Sequence, residues 1–198
     1  MLRIISILFL ITACSSYKPT IFIDAGHGGP EDPGIVIKGE KEAPINLMLA
    51  KKIKNSILNL EKGYNVELIR KTNSFISLQE RIQVVSEKYK SGDIFISIHQ
   101  NAARTDIKNN IIIFTKNKED VKLADAILWL FKYSKLQIFK NREIKQANFY
   151  VLNNPLPSVL IEVNRMNKGY RDWISIETNQ EKVADIIAVG IYVYFYNR

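Results

Sequence analysis

The chain contains two histidines, and each follows an apolar run. His27 comes after TIFIDAG and sits between Gly26 and Gly28; His99 lies in DIFISIHQNA. A lone histidine beside a strand is usually a structural hydrogen-bonding group. Two of them, placed alike, suit a metal. Neutral imidazole is a favoured zinc ligand, and catalytic zinc takes three protein ligands while keeping a position open for water. The third ligand is most naturally a carboxylate. GEKEAPINL offers Glu40 and Glu42, and spacing alone does not separate them. A further carboxylate, Glu162, is embedded in the apolar run SVLIEV. An ionised side chain there is costly unless it is paired or put to use. Asp24, just ahead of His27, is a candidate to orient a histidine or to form the turn. Glycines 26, 28 and 29 let the backbone bend and bring His27 close to an ion.

Such residues need elements to bring them together. TIFID (20–24), DIFISI (93–98) and SVLIEV (158–163) are rich in Ile, Val and Phe and do not alternate with polar residues. That pattern predicts strands buried on both faces, the mark of a mainly parallel sheet. YNVELIR (64–70) predicts a fourth strand. Helical periodicity runs through 44–60, 77–90, 118–134 and 179–196, with Pro44 in a first turn. The alternation argues an α/β fold, one domain over residues 20–198, with helices covering the sheet. Functional groups of open α/β sheets gather beyond the carboxyl ends of the strands. His27, His99 and Glu162 fall at that kind of place, so parallel neighbouring strands would bring them to one edge.

In order along the chain stand DAGHGG, a glutamate four residues before Asn46-Leu47, SIHQNA and a late VLIE strand. Together they resemble the zinc-dependent N-acetylmuramoyl-L-alanine amidases, over residues 20–196. Arg70, the SLQERIQVV segment with Arg81 and the YVLNNPLPSVLIE stretch add to the likeness. The resemblance implies one zinc ion held by His27, Glu42 and His99. It selects Glu42 over Glu40 through the Asn46-Leu47 register, and it makes Glu162 the catalytic glutamate. It further implies a single α/β domain with a twisted, mixed, mostly parallel sheet of about six strands flanked by helices. The implied substrate is peptidoglycan, cut at the amide between N-acetylmuramic acid and L-alanine by zinc-activated water.

Two stretches depart from the family pattern. Ala43-Pro44 stand where Lys-Asp is usual, and Asn164-Arg165 where Gly-Phe is usual. Arg165 is a candidate contact for a substrate carboxylate. Some family members carry a long inserted helix that plugs the site. Residues 103–148 hold only the strand-like NIIIF and the 118–134 helix, so an open site is expected. Rival readings are another zinc peptidase or deacetylase, and a non-catalytic peptidoglycan-binding lipoprotein.

The N-terminus, MLRIISILFLITACSS, has one arginine, an apolar stretch too short to span a bilayer, and small residues ending in Cys14. This resembles a lipoprotein signal. Residues 1–13 are read as signal peptide, Cys14 as the lipidated residue, and 14–19 as lipidated cysteine and short tether. A lone cysteine excludes an intrachain disulfide and a multi-cysteine metal site. The expectation is an exported, lipid-anchored monomer in the cell envelope. Ser15 follows the cysteine where an aspartate would favour the inner membrane, so the outer membrane, facing the periplasm, is preferred. The net charge of +8 suits anionic partners, but nucleic acid does not fit an exported chain.

Overall fold

The structure is a computed structural model that describes residues 17–101, 110–134, 136, 139, 141–166 and 177–198. Among the described residues eight strands and four helices follow in order: β1 (Thr20–Ala25), β2 (Val36–Ile37), β3 (Glu40–Lys41), α1 (Glu42–Leu60), β4 (Asn65–Leu68), α2 (Leu78–Lys88), β5 (Ile94–Asn101), β6 (Asn110–Thr115), α3 (Asp120–Tyr133), β7 (Asn141–Gln146), β8 (Ser158–Arg165) and α4 (Glu177–Tyr196). A short 3-10 turn, Tyr150–Leu152, precedes β8.

Six strands form the main sheet in the order β4-β1-β5-β8-β6-β7. β4, β1, β5 and β8 run parallel, β6 is antiparallel to β8, and β7 is parallel to β6. The three apolar runs are therefore adjacent parallel strands, as their composition predicts. Alternate side chains enter two cores. Ile21, Ile23, Ile94, Ile96, Val159 and Ile161 face α1, α3 and α4. Phe22, Phe95 and Leu160 face α2 and the 3-10 turn. Both faces are covered, which is why these strands lack a polar alternation. No helix among the described residues is long and apolar enough to cross a membrane.

β7 was not expected from the sequence. NREIKQ is an edge strand paired on one side only, and none of its residues is fully buried. With no buried face to fill, its sequence carries no apolar pattern; pairing with β6 makes it a strand. The β2–β3 hairpin was missed for a related reason. It has two residues per strand and turns through Lys38 (φ 51°) and Gly39 (φ 85°). α3 lies between the 103–148 flanks and packs on β6, β7, β8 and α4, so it belongs to a covering layer of the sheet.

Two boundaries matter for chemistry. α1 starts at Glu42, so the glutamate expected just ahead of that helix is its first residue. No side chain caps α1; the loop carbonyls of Ile35 and Pro33 accept from the amides of Glu42 and Ala43 at 2.9 and 3.1 Å. Those carbonyls satisfy amides that a helix start leaves free. α2 instead has a capping box, with Ser77 and Glu80 serving each other's backbone. At the other end of the sheet, residues 17–19 are docked on the domain. The Tyr17 hydroxyl donates to Asp93, the Thr20 amide donates to the same carboxylate at 2.7 Å, and the Asn65 amide donates to the Pro19 carbonyl at 2.9 Å. Burial and the Asp93 carboxylate push the Tyr17 phenol up to about 12. Cys14 and the signal segment lie outside the described residues.

Candidate metal centre

His27 stands two residues beyond β1, in a loop of unusual backbone. Its own φ is 62°, followed by Gly28 at 152° and Gly29 at 72°. A left-handed histidine is tolerated only if its surroundings hold it there. Two buried arginines do so. Arg70 donates to the carbonyls of Ala25 (2.7 Å), Gly26 (3.1 Å) and Ala43 (2.6 Å). Arg81 donates to the carbonyls of Ala25 and His27, both at 2.9 Å. Three consecutive carbonyls are thus fixed, and the imidazole is presented from a rigid base. Burial and the neighbouring Arg81 bring Arg70 down to about 10.

Asp24 serves this clamp. Its carboxylate pairs with Arg81 Nη1 and accepts from Ser97 Oγ at 2.8 Å. The carboxylate on the histidine is Asp32, 2.7 Å from His27 Nδ1. The sequence pointed to Asp24 as a possible orienting group; in space it reaches His27 through Arg81. Asp32 was overlooked, although it stands five residues after His27 in the same glycine-rich loop. The signal was there: a carboxylate that a tight turn could fold back onto its own histidine.

His99 is reached differently. β5 runs on to Asn101, so His99 is inside the strand rather than at its end. A register irregularity follows between His99 and Asn101. Gly26 packs against the ring, and a Cβ there would lie 2.2 Å from His99 Nε2. The two imidazoles meet edge to face with centroids 4.9 Å apart.

Glu42 lies between them, fully buried. His27 Nε2 is 3.2 Å from its Oε2, and His99 Nδ1 is 3.2 Å from its Oε1. Oε1 also accepts from the Gln100 amide (2.8 Å) and Asn46 Nδ2 (3.1 Å), and Oε2 from the Ile35 amide (3.0 Å). Burial pushes the carboxyl up, but the histidines and the Gln100 amide outweigh it and hold it well below the usual carboxylate range. For His27, burial pulls the pKa down, while Glu42 and then Asp32 raise it to a net upward shift. Gly34 closes the cradle, since a Cβ there would stand 2.7 Å from both Glu42 Oε2 and His27 Cδ2.

Ligand atoms from His27, Glu42 and His99 lie within 4.8 Å of one another. Two imidazole nitrogens and one carboxylate oxygen are a donor set of catalytic zinc, and the group opens on a cavity of about 640 Å³. The residues fit the ion. Glu40 is in β3, exposed, and is no part of the cluster. Glu162 lines the same cavity, on β8 directly across from His99. Arg165 ends β8, and its side chain lies outside the described ones.

Comparison with known proteins places the chain in a family. The family model described as N-acetylmuramoyl-L-alanine amidase matches residues 21–192. The uncharacterized protein YqiI of Bacillus subtilis is 34% identical over 181 residues, covering 89% of this chain and 84% of that one. The N-acetylmuramoyl-L-alanine amidase LytC of Bacillus subtilis is 34% identical over 182 residues, covering 89% of this chain but 35% of LytC. The catalytic domain of CwlV, an N-acetylmuramoyl-L-alanine amidase from Bacillus (Paenibacillus) polymyxa var. colistinus, superposes with a TM-score of 0.80 at 28% identity, covering 91% of this chain and 99% of that domain.

Proposed function

The chain belongs to the N-acetylmuramoyl-L-alanine amidase family, and on that premise we propose that it is a zinc-dependent peptidoglycan hydrolase acting in the cell envelope. The observation that carries the zinc reading is the His27–Glu42–His99 cluster, with Glu162 on the wall of the same cavity. His27, Glu42 and His99 would hold one zinc ion. Bound there, zinc would polarise the amide carbonyl and lower the pKa of water.

The remaining work falls to the protein. Glu162 takes a proton from the attacking water as the carbonyl carbon is attacked. It then delivers that proton to the alanine nitrogen as the carbon–nitrogen bond between N-acetylmuramic acid and L-alanine breaks. Asp32 holds His27 with Nε2 toward the cluster. Asn46 and the Gln100 amide keep Glu42 ionised and oriented.

The test is digestion of purified sacculi with and without a chelator, followed by mass analysis. Free stem peptide with intact N-acetyl groups, lost on chelation, is the expected result. Zinc-independent cleavage, cleavage elsewhere, or full activity of Glu162→Gln would sink the mechanism. We further propose a monomer anchored to the outer membrane, on its periplasmic side, through an acylated Cys14. Fractionation of a Cys14→Ser variant tests the anchor, which should release the protein from the membrane fraction.

A further inference from the structure

Two kinds of side chain line the cavity. His27, Asp32, Glu42, His99 and Glu162 are polar; Leu78, Phe149, Tyr150, Val151 and Leu160 are apolar. Val151 and Leu160 are buried, but the other three apolar side chains are open to solvent: Leu78 is 52% exposed, Tyr150 46% and Phe149 37%. A cluster of exposed large apolar side chains is informative in a way that a single one is not.

Other residues anchor the turn that carries two of these side chains. In the 3-10 turn, Val151 and Leu152 are buried against Phe22, Val85, Phe95 and Leu160, and they anchor it. Phe149 and Tyr150 stand on the other side. Their base is rigid: Asn154 Nδ2 donates to the Val151 carbonyl at 2.9 Å, and Asn154 Oδ1 accepts from the Leu156 amide and from Ser158 Oγ. Phe149 is fixed edge to face against Phe114, centroids 5.0 Å apart. Leu78 is the first residue of α2, behind the Ser77 cap. Aromatic rings exposed beside the His27–Glu42–His99 cluster are placed for a ligand that is apolar on one side.

The two halves of a muramoyl–alanine amide differ in this respect. The stem-peptide half carries carboxylates, which gain nothing from an apolar wall. The muramoyl half presents the C–H face of a pyranose ring and the methyl of its lactyl group. We propose that Leu78, Phe149 and Tyr150 form the subsite for the N-acetylmuramoyl half of the substrate, with the sugar ring stacked on the aromatic pair. The wall makes the enzyme choose a sugar-bearing amide over a plain acyl-peptide. This inference rests on the amidase reading and deepens it.

The experiment compares two soluble substrates with the same scissile amide, N-acetylmuramoyl-L-alanyl-D-isoglutamine and its sugar-free N-lactoyl analogue. Tyr150→Ala and Phe149→Ala should each raise KM for the muramoyl substrate about tenfold. Both should leave the lactoyl substrate and the zinc content unchanged, and Tyr150→Phe should keep wild-type selectivity. An equal loss on both substrates, or no loss on the muramoyl one, overturns the proposal. The sacculus digest decides the amidase reading separately; if the wild-type enzyme cleaves neither soluble substrate, calorimetric binding of the muramoyl dipeptide decides the subsite. Binding weakened by Tyr150→Ala sustains the subsite, and binding that is absent or unaffected by that change overturns it.

Discussion

His99 and Glu162 are register partners on adjacent parallel strands, so the second histidine of the cluster and the strand-borne glutamate face one cavity side by side. The β5–β8 ladder fixes that pairing, and a slip of one residue would turn either side chain to the other face. Glu162 is outside the three-residue ligand cluster, so its loss should separate binding from chemistry. Glu162→Gln is expected to lower kcat by roughly 10²–10⁴ while binding zinc as the wild type does. Metal analysis beside the sacculus assay checks both halves.

Asp32 should matter to the metal more than to the fold. It holds His27 Nδ1 at 2.7 Å and leaves Nε2 for the ligand position. Asp32→Asn is expected to weaken zinc about 10–100-fold with little change in melting temperature. Competition with a chromogenic chelator measures this directly, and unchanged affinity would mean that the loop alone orients the ring.

Arg81 and Asp24 are both essentially inaccessible, and Arg81 also secures the His27 carbonyl. Arg81→Met leaves the Asp24 carboxylate buried without its partner. The expected cost is about 3–5 kcal/mol by urea unfolding of the metal-free protein. Arg81→Lys should recover only part of this, because an ammonium does not reproduce the planar fork.

The metal-free site has a sign-definite pH dependence. The Glu42 pKa is depressed below its ordinary 4.5, so its contribution is present above that value and lost as pH falls through the depressed one. The His27 pKa is raised above 6.5, so its contribution is present below 6.5 and lost as pH climbs through the raised value. The stability difference between metal-free wild type and Glu42→Gln should therefore be largest between pH 4.5 and 6.5. Thermal melts across that range check it. Zinc requires neutral imidazole, so its binding should release protons near neutrality, visible as buffer-dependent enthalpies in calorimetry.

Asn164 tests one of the departures from the family pattern. Its φ of 125° is a conformation that glycine adopts freely, while its Oδ1 accepts from the Asn110 amide at 3.1 Å. Asn164→Gly exchanges strain relief for that bond, whereas Asn164→Ala keeps the strain and loses the bond. The alanine variant should be less stable than the glycine variant by about 1–3 kcal/mol in denaturant unfolding.

Much of the fold was legible because burial writes itself into composition. β1, β5 and β8 are covered on both faces, and their runs of Ile, Val and Phe announced them. β7 and the β2–β3 hairpin were invisible, since exposed or very short strands are made by backbone pairing that leaves no apolar pattern. In the site, two histidines and a strand-borne glutamate stood out by rarity and cost. The choice between Glu40 and Glu42 came from family likeness in the sequence; in space it follows from α1 beginning at Glu42 with its carboxylate turned inward among five polar contacts.

The sequence by itself determined the residue types and the order in which strands carry them: a histidine after β1, a histidine on β5, a glutamate on β8. Only the tertiary structure decided which aspartate meets His27. Asp24 and Asp32 are both near His27 in the chain, and both could have been its partner. The left-handed turn at His27 carries the chain back so that Asp32 reaches the ring, while Asp24 stays in β1 and is engaged by Arg81. That assignment depends on backbone dihedrals and on an arginine from α2, two things that no local stretch of sequence contains.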